Sequence, residues 1–443
     1  MQTLLKIVAI IAAISMLLAA SILVFDFVKI QKAFPARTFV GRLEITGLTR
    51  DSAVEKLKKA SLTRVYTQLF TLEAEGTRFS FAPNELGIYL AEDKTIDYAF
   101  SLTHAGSYFK RLRERLLYGE TVAPLMLGLS KEQFNNILFA LKSSIETNPQ
   151  NAGFALYEDT GEYNIEPEVI GRKINIGATY KKFEAAVKSG VASASIAIDY
   201  TYPDVREKPI KDNPPISLLA EYTTIYGAHD SPNRIHNIKL IASWADGMLL
   251  LPEDKFSAVD LIGVVSPDKG FREAYVIVKG ELVPQLGGGA CQVATTLYNA
   301  VMLADLNVTQ RRNHSFYFSI YPLGRDAGIY PGQIDMKFEN DTGFPVLIKS
   351  TATNKKLSFR LYGTPSGKKV TISEPSILGP NANGKYVPKT LKQVIHSNTP
   401  FKTTVTRTVM DSEGKELKKE TISSFYRLYG DGTNVPIKKR ESR

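Results

Sequence analysis

The feature that most constrains this chain is an uninterrupted apolar run close to its N-terminus. After Lys6, every residue from Ile7 to Phe25 is apolar or small, and Asp26 ends the run. Nineteen residues in a helix extend roughly 28 Å, which is enough to span the hydrocarbon core of a bilayer. We therefore predict a signal anchor within residues 1–35, with its transmembrane helix over residues 7–25.

A cleaved signal peptide is the alternative interpretation of this run. The run is longer than the usual apolar core of such a peptide, and Ala19-Ala20-Ser21 makes a poor cleavage site. Lys6 is outnumbered by the basic residues that follow the run, but a long folded domain can be translocated despite flanking charge. We expect a single-pass protein of the cell membrane with the bulk of the chain outside the cytoplasm.

Charge and cysteine content exclude several classes of function. Lys and Arg exceed Asp and Glu by 55 to 45, a net charge of +10 that is spread along the chain. A nucleic-acid-binding protein would concentrate this charge in a stripe, so we predict no nucleic-acid partner. The excess of positive charge favours an anionic wall or membrane surface as partner. The alternative is that the basic surface only confers solubility. The single cysteine, Cys291, excludes an intramolecular disulfide and sites built on several thiolates.

The exported part of the chain divides into three regions and a linker. Residues 36–205 mix short helices with hairpins and contain a weak internal repeat. A polar linker with prolines covers 206–217, and residues 218–363 are dense in strand and turn signals around one helix. Residues 364–443 comprise a loop-rich passage, a C-terminal β-hairpin and a basic tail.

These patterns predict an α+β fold. We expect an N-terminal transmembrane helix, a mixed helix and hairpin region, and a mostly antiparallel domain around one buried helix at Cys291–Leu306. A C-terminal β-hairpin extension completes the prediction.

The segment around Cys291 carries the most chemical information. Gly287-Gly288-Gly289 follows a predicted strand and precedes the predicted helix, so Cys291 falls in the first helical turn. The free N–H groups and positive dipole end there favour a thiolate, and the same amides can hold a developing oxyanion. The alternative is a tight glycine turn beside a cysteine that acts as a small buried hydrophobe.

Candidate partners for this thiol follow the helix. His314 is the candidate base, because a nucleophilic cysteine needs an oriented proton acceptor, although a structural histidine is the alternative. Asp326 is a candidate to orient that base, and Arg325 a candidate clamp for a carboxylate; a turn stabilised by Asp326 is the simpler explanation. His229 and His236 do not have metal-ligand spacing, so we predict no metal and no cofactor.

The stretch from Tyr222 to Ile348 resembles the VanW family. The region before it resembles the peptidoglycan-binding domain that commonly precedes VanW domains, and the C-terminal hairpin resembles the G5-like extension that follows them. The main matching motifs are Gly287-Gly288-Gly289, Cys291-Gln292-Val293, Thr295-Thr296-Leu297-Tyr298-Asn299-Ala300, Arg311, His314-Ser315, Gly324-Arg325-Asp326-Ala327 and Asp335-Met336-Lys337-Phe338.

The resemblance implies a cell-envelope protein whose partner is peptidoglycan, and a cysteine L,D-transpeptidase-like activity. Cys291 would attack a stem-peptide carbonyl, His314 would transfer the proton, and the amides of Gly289 and Cys291 would bind the oxyanion. Arg311 or Arg325 would hold a substrate carboxylate. The alternative is a non-catalytic peptidoglycan-binding or envelope scaffolding protein of this vancomycin-resistance-associated family.

Overall fold

The computed structural model describes residues 2–60, 68–226, 230–278 and 281–428. It has the predicted α+β character, with a long N-terminal helix and small, mostly antiparallel sheets. Contacts divide the chain into two compact units. The first contains the residues up to Pro149 together with 170–202, and the second contains 150–169 together with the residues from Pro203 onward.

The predicted apolar helix is present. It runs over Gln2–Ile30, and within the described part of the chain the stretch Leu4–Lys29 is the one helical stretch long and apolar enough to cross a membrane. None of its most apolar window is buried, and its contacts with Tyr108 lie near its C-terminal end, where the Tyr108 hydroxyl donates to the Leu23 carbonyl and to Asp26 and the ring packs against Phe27. An apolar helix whose apolar window is left uncovered is consistent with a membrane anchor or with a signal peptide.

The rest of the first unit is built from short helices and short strands. The second of its helices begins as the sequence predicts, because the Thr49 hydroxyl accepts a hydrogen bond from the amide of Ser52. The helices after the apolar one are Arg50–Lys59, Glu92–His104, Tyr108–Tyr118, Lys131–Ile145 and Ile176–Ser189. The strands are Thr38–Val40, Leu43–Glu44, Phe70–Ala74, Thr77–Phe81, Ile88–Leu90, Thr121–Ala123, Leu127–Leu129, Gly171–Ile174, Ser193–Ser195 and Ile198–Thr201.

The second unit is richer in strands. Its helices are Glu207–Asp212, Pro232–Ala245, Ala258–Ile262, Ala290–Leu303 and Leu391–His396, with a 3₁₀ turn at Pro267–Lys269. Its strands are Gly153–Tyr157, Glu162–Glu166, Ser217–Ile225, Met248–Leu250, Lys255–Ser257, Glu273–Val278, Glu281–Leu286, Asn307–Gln310, Lys337–Glu339, Val346–Ala352, Lys356–Gly363, Lys369–Ile372, Ser376–Pro380, Tyr386–Pro388, Phe401–Met410 and Glu416–Tyr426.

The Ala290–Leu303 helix lies at the centre of this unit. Every residue from Gln292 to Met302 is buried, which is typical of a core helix that is covered on all sides. The helix packs against the Pro232–Ala245 helix and against a four-stranded antiparallel sheet. The order of strands in that sheet is Ser217–Ile225, Lys356–Gly363, Val346–Ala352 and Met248–Leu250.

A second antiparallel sheet follows at the C-terminal end of the unit. The predicted hairpin pairs Phe401–Met410 with Glu416–Tyr426, and its first strand also pairs with Lys369–Ile372 and Ser376–Pro380. Short strands thus occupy part of the predicted loop-rich passage, because each can pair with its neighbours in this sheet. Ile372 and Ile422 pack against the same apolar core as the buried helix.

One buried amide side chain links the glycine segment to the Pro232–Ala245 helix. The Asn237 side-chain amide nitrogen donates to the carbonyl oxygens of Arg272 and Gly288, at 2.9 and 3.0 Å. Its side-chain oxygen accepts from the Arg272 amide at 2.9 Å. Asn237 is fully buried, so water cannot take over the hydrogen bonds that its side chain makes with these backbone groups.

We expect Asn237→Ala to lower the free energy of unfolding by about 2–3 kcal/mol, because it leaves buried backbone groups without partners. Asn233→Ala is the matched control, since Asn233 lies on the same helix and makes one exposed hydrogen bond, to the Glu273 carbonyl. Urea unfolding followed by the fluorescence of Trp244, the single tryptophan, measures both. Equal losses for the two variants would contradict the assigned role.

Candidate active site

The start of the buried helix is fixed by glycine. The hairpin Glu273–Val278 and Glu281–Leu286 leads into Gly287–Gly289. Gly289 has a φ of +115°, and a β-carbon there would lie 2.8 Å from the Ile238 Cγ1 atom. Both the backbone conformation and the close packing therefore require glycine. The predicted order of strand, glycine turn and helix is present, with Cys291 in the first helical turn.

The backbone amides at this helix start differ in their hydrogen bonding. The amide of Ala290 donates to the Gly287 carbonyl at 3.3 Å, and that of Gln292 donates to the Gly289 carbonyl at 3.0 Å. For the amide of Cys291, the described residues provide no acceptor. A free N–H beside the thiol, at the positive end of a helix, is the geometry that stabilises an oxyanion.

The Cys291 thiol is placed beside an imidazole. Its Sγ atom lies 3.7 Å from the carbonyl oxygen of Ile329, and the His314 imidazole is close enough to lower the pKa of the thiol. Burial raises the pKa of the thiol, but the hydrogen bond and positive charge of His314 outweigh it. The pKa of Cys291 is consequently held below its ordinary value, with a smaller contribution from the Arg234 charge.

His314 is held on both sides. Its Nδ1 atom lies 2.6 Å from the Asp326 Oδ2 atom, and its ring stacks on that of Tyr321 with centroids 4.8 Å apart. Burial lowers the pKa of His314, but the hydrogen bonds to Asp326 and Cys291 outweigh burial and raise it to about 9. The raised histidine pKa and the lowered cysteine pKa together favour a thiolate–imidazolium pair.

The Asp326 carboxylate is buried and accepts four hydrogen bonds. Oδ2 accepts from both Nδ1 and the backbone amide of His314, at 2.6 and 2.7 Å. Oδ1 accepts from Arg311 Nη2 at 3.2 Å and from the Tyr426 hydroxyl at 2.5 Å. Burial raises the pKa of Asp326, but its hydrogen bond to His314 and these other donors outweigh burial and lower it.

The buried helix itself positions the turn that carries Asp326. Thr295 Oγ1 donates to the Ala327 carbonyl at 3.2 Å and accepts from the Ala327 amide at 3.0 Å. The Asn299 side chain donates to the Arg325 carbonyl at 2.9 Å. Cys291 and the turn at 325–327 are thus fixed to one rigid element, which sets the spacing of the thiol and the carboxylate.

The two arginines that the sequence selects as substrate-binding residues lie in different surroundings. The Arg311 guanidinium is nearly buried, donates to the Asp326 and Gly324 carbonyls and to Ser424, and lies over the Tyr298 ring. The Arg325 guanidinium is partly exposed and lies over another aromatic ring, that of Tyr222, 5.4 Å from its centroid.

Arg234 is a site residue that sequence reasoning missed. Its Nη2 atom donates to Gln292 Oε1 at 3.0 Å, and its Nη1 atom lies 2.8 Å from a carboxylate oxygen of Asp230. The positive charge of Arg234 makes a small contribution to the lowered pKa of Cys291, and at Tyr321 it partly opposes burial, which raises the pKa of that hydroxyl. It lies in the first turn of another helix, 57 positions before Cys291, and no local spacing in the sequence connects the two.

Metal ligands do not converge within the described ranges. No group of three or more His, Cys, Asp or Glu side chains there is arranged so that it could hold a metal ion. The Nε2 atom of His236 lies 2.9 Å from the carbonyl oxygen of Gly270. His229, the other histidine considered as a metal ligand, lies outside the described residues.

We expect the alkylation rate of Cys291 by iodoacetamide to reach half its plateau below pH 9, the ordinary thiol pKa, since a lowered pKa makes the thiolate available at lower pH. In His314→Ala, burial still raises the pKa of the thiol, but the main group that lowers it is gone, so the midpoint should move above pH 9. His236→Ala is the control and should match the wild type. Coincident profiles for His314→Ala and the wild type would contradict the pairing.

We expect Gly289→Ala to slow this alkylation at least tenfold at pH 7, because displacing the helix start by a few tenths of an ångström disrupts the thiol geometry. Gly247→Ala is the control, since Gly247 also has a positive φ, +79°, but open space at its β-carbon position. Intact-mass spectrometry is unambiguous here, because the chain has one cysteine. An equal effect in both variants would assign the loss to backbone strain alone.

Comparisons with known proteins match two regions of the chain to families. Residues 233–362 match the family described as VanW like protein, and residues 79–193 match a family described as a peptidoglycan binding domain. No solved structure matches the chain significantly.

Two curated proteins are similar to this chain. It is 31% identical to the protein YoaR of Bacillus subtilis (strain 168) over 234 residues, which cover 53% of this chain and 75% of YoaR. It is 29% identical to the vancomycin B-type resistance protein VanW of Enterococcus faecalis over 135 residues, 29% of this chain and 49% of that protein. With its VanW domain preceded by a peptidoglycan-binding domain, the chain belongs to the VanW family.

Proposed function

We propose that this protein is a cysteine L,D-transpeptidase that acts on the stem peptides of peptidoglycan. The observation that carries the proposal is the line of contacts from Cys291 through His314 to Asp326, in which a thiol, an imidazole and a buried carboxylate follow one another. A nucleophile, a base and a group that orients the base are the components of acyl transfer.

In the first half of the proposed reaction, the enzyme is acylated. The Cys291 thiolate attacks the carbonyl carbon of a donor stem peptide, and the amides of Gly289 and Cys291 stabilise the negative charge on its oxygen. The carbon–nitrogen bond then breaks. The leaving amine takes the proton of the His314 imidazolium, a terminal D-amino acid departs, and a thioester remains on Cys291.

The second half regenerates the thiolate. An amine of a neighbouring stem attacks the thioester carbon while His314 takes up its proton. The carbon–sulfur bond breaks, a new amide joins the two stems, and the thiolate–imidazolium pair returns. Both halves conserve charge and electrons, and they use only groups that this chain supplies.

The substrate carboxylate is assigned to Arg325 and Arg234. The Arg311 guanidinium already donates to Asp326, Gly324 and Ser424, which suits a role in holding Asp326. Arg325 keeps a partly exposed guanidinium, and Arg234 places its charge next to the thiol. We assign substrate binding to these two residues, with Arg325 as the sequence predicts.

The remaining regions are assigned to placement of the enzyme at its substrate. The apolar helix acts as the anchor in a single-pass protein of the cell membrane, and the bulk of the chain is extracytoplasmic. Residues 36–205, which include the whole peptidoglycan-binding match, hold the polymer, and residues 218–363 carry the chemistry. Peptidoglycan and the membrane are the proposed partners, and nucleic acid is not.

A second candidate function is non-catalytic binding or scaffolding at the cell wall. The match of residues 79–193 to a peptidoglycan binding domain favours it, because such a domain needs no reaction to retain a protein at the wall. In that case the Cys291–His314 pair would be a structural feature of the core.

Intact-mass spectrometry of the full-length protein in detergent distinguishes the two. The protein is incubated with a disaccharide muropeptide that carries a tetrapeptide stem. We expect a covalent adduct equal in mass to the muropeptide minus its terminal D-amino acid, together with release of that amino acid. Cys291→Ser should form no thioester, and His314→Ala should form it at least 100-fold more slowly, since general acid–base catalysis contributes about 10²–10⁴-fold.

Thr224→Val is the matched control for side-chain loss near the helix start, because Thr224 bonds Gln292 and Thr296 but does not touch the thiol. It should retain the adduct. If wild type and Cys291→Ser bind sacculi equally and neither forms an adduct, the transpeptidase proposal is wrong and the binding function stands.

A further inference from the structure

We infer that Tyr426 is a positioning residue of the candidate active site, and that the reactive unit therefore includes the C-terminal hairpin, beyond the family match that ends at residue 362. Its hydroxyl fixes the carboxylate of Asp326, which in turn orients His314. This inference rests on the proposed function of Cys291 as a nucleophile.

The Tyr426 hydroxyl makes two hydrogen bonds at the turn that carries Asp326. It donates to Asp326 Oδ1 at 2.5 Å and accepts from the Gly324 amide at 3.0 Å. The other side-chain donor to Oδ1 is Arg311, at the longer distance of 3.2 Å. Without the hydroxyl, Oδ1 would keep one long hydrogen bond and the Gly324 amide would lose its acceptor, so the carboxylate would be held less firmly.

The position of this hydroxyl is fixed by aromatic packing. Tyr426 is 2% exposed, and its ring lies 5.4 Å from that of Phe401 and 6.3 Å from that of Tyr317. The backbone amide of Tyr317 donates to the Arg427 carbonyl at 2.9 Å, which joins the segment after His314 to the end of the last described strand. A ring held by such a cluster presents its hydroxyl at one point.

Neighbouring residues of the same strand support the same turn. The Ser424 hydroxyl accepts from Arg311 Nη1 at 3.0 Å, and the Phe425 carbonyl accepts from the Asn313 side chain at 2.8 Å. The Arg427 amide donates to the Ser315 carbonyl at 2.9 Å. The strand thus lies alongside residues 313–317 and fixes the backbone on both sides of His314.

The hairpin also holds the far end of the buried helix. Arg407 is 3% exposed, and its Nε atom donates to the Met302 carbonyl at 2.9 Å. Its other guanidinium nitrogens form ion pairs with Asp305 and Glu420, at 2.6 and 2.7 Å. A cation at a helix C-terminus pairs with its free carbonyls. The sheet therefore restrains both the helix that carries Cys291 and the turn that carries Asp326.

The charge state of the thiol depends on this arrangement. The charged or titratable groups that face Cys291 are His314 and Tyr321, on the segment after the helix, and Arg234, on the Pro232–Ala245 helix. Those that face Asp326 are Arg311, His314, Tyr426, Tyr298 and Tyr321. If Asp326 is held less firmly, it stabilises the His314 imidazolium less. The thiolate then loses part of its main stabilising charge.

The test is the pH profile of Cys291 alkylation in the full-length variant Tyr426→Phe, which removes the hydroxyl and keeps the ring. We expect its midpoint to rise by about 0.5–1 pH unit, and alkylation below the midpoint to be roughly three- to tenfold slower, as the loss of one hydrogen bond to a charged group implies. Tyr317→Phe removes a hydroxyl from the neighbouring ring and should leave the profile unchanged.

A Tyr426→Phe profile that coincides with the wild type would overturn the inference, and so would an equal shift in Tyr317→Phe. If Tyr426→Phe does not fold, Ser424→Ala takes its place, with a smaller upward shift expected and coincidence with the wild type as the overturning result. Alkylation requires no muropeptide. A shifted profile in a protein that forms no muropeptide adduct would reject the transpeptidase and keep the positioning role.

Discussion

The buried carboxylate of Asp326 is the group on which the rest of the site depends. An ionised carboxylate without partners in a protein interior is strongly unfavourable, so its donors must all be in place when the chain folds. Those donors come from separated parts of the sequence: Arg311 and His314 from the segment after the buried helix, and Tyr426 from the last strand. The hydrogen bonds that stabilise the Asp326 charge therefore join the segment after the buried helix, the turn that carries Asp326 and the C-terminal sheet.

The polar side chains of the buried helix have a related role. Gln292, Thr295, Thr296 and Asn299 are all fully buried, and each hydrogen-bonds within the core. A buried polar group that finds its hydrogen-bond partner in only one arrangement of the core favours that arrangement over others. Thr295 and Asn299 bond the backbone of the 325–327 turn, so the helix that carries the thiol also determines where the carboxylate lies. The two ends of the candidate triad are thus coupled through a single rigid element.

Local features of the sequence were sufficient to predict part of this site. Three glycines before Cys291 indicated a helix start, because only glycine accepts the positive φ and close packing found at Gly289. His314 and Asp326 lie within a short distance along the chain, and their residue types are those a nucleophilic thiol requires. Arg234 and Tyr426 had no such signal. They reach the site from 57 positions before and 135 positions after Cys291, and only the packing of the second unit brings them there.

The sequence by itself determined the apolar N-terminal helix, the α+β class and the first-turn position of Cys291. Each of these follows from interactions between residues close in the chain: apolar run length, strand and helix periodicity, and backbone freedom at glycine. The tertiary structure decided which charges surround the thiol, that Arg311 is directed to Asp326, and that the C-terminal hairpin holds the turn at Gly324. These outcomes depend on which distant segments of the chain pack together in the core. A charge buried there is unfavourable without a partner, so it pairs with whichever group the fold places beside it.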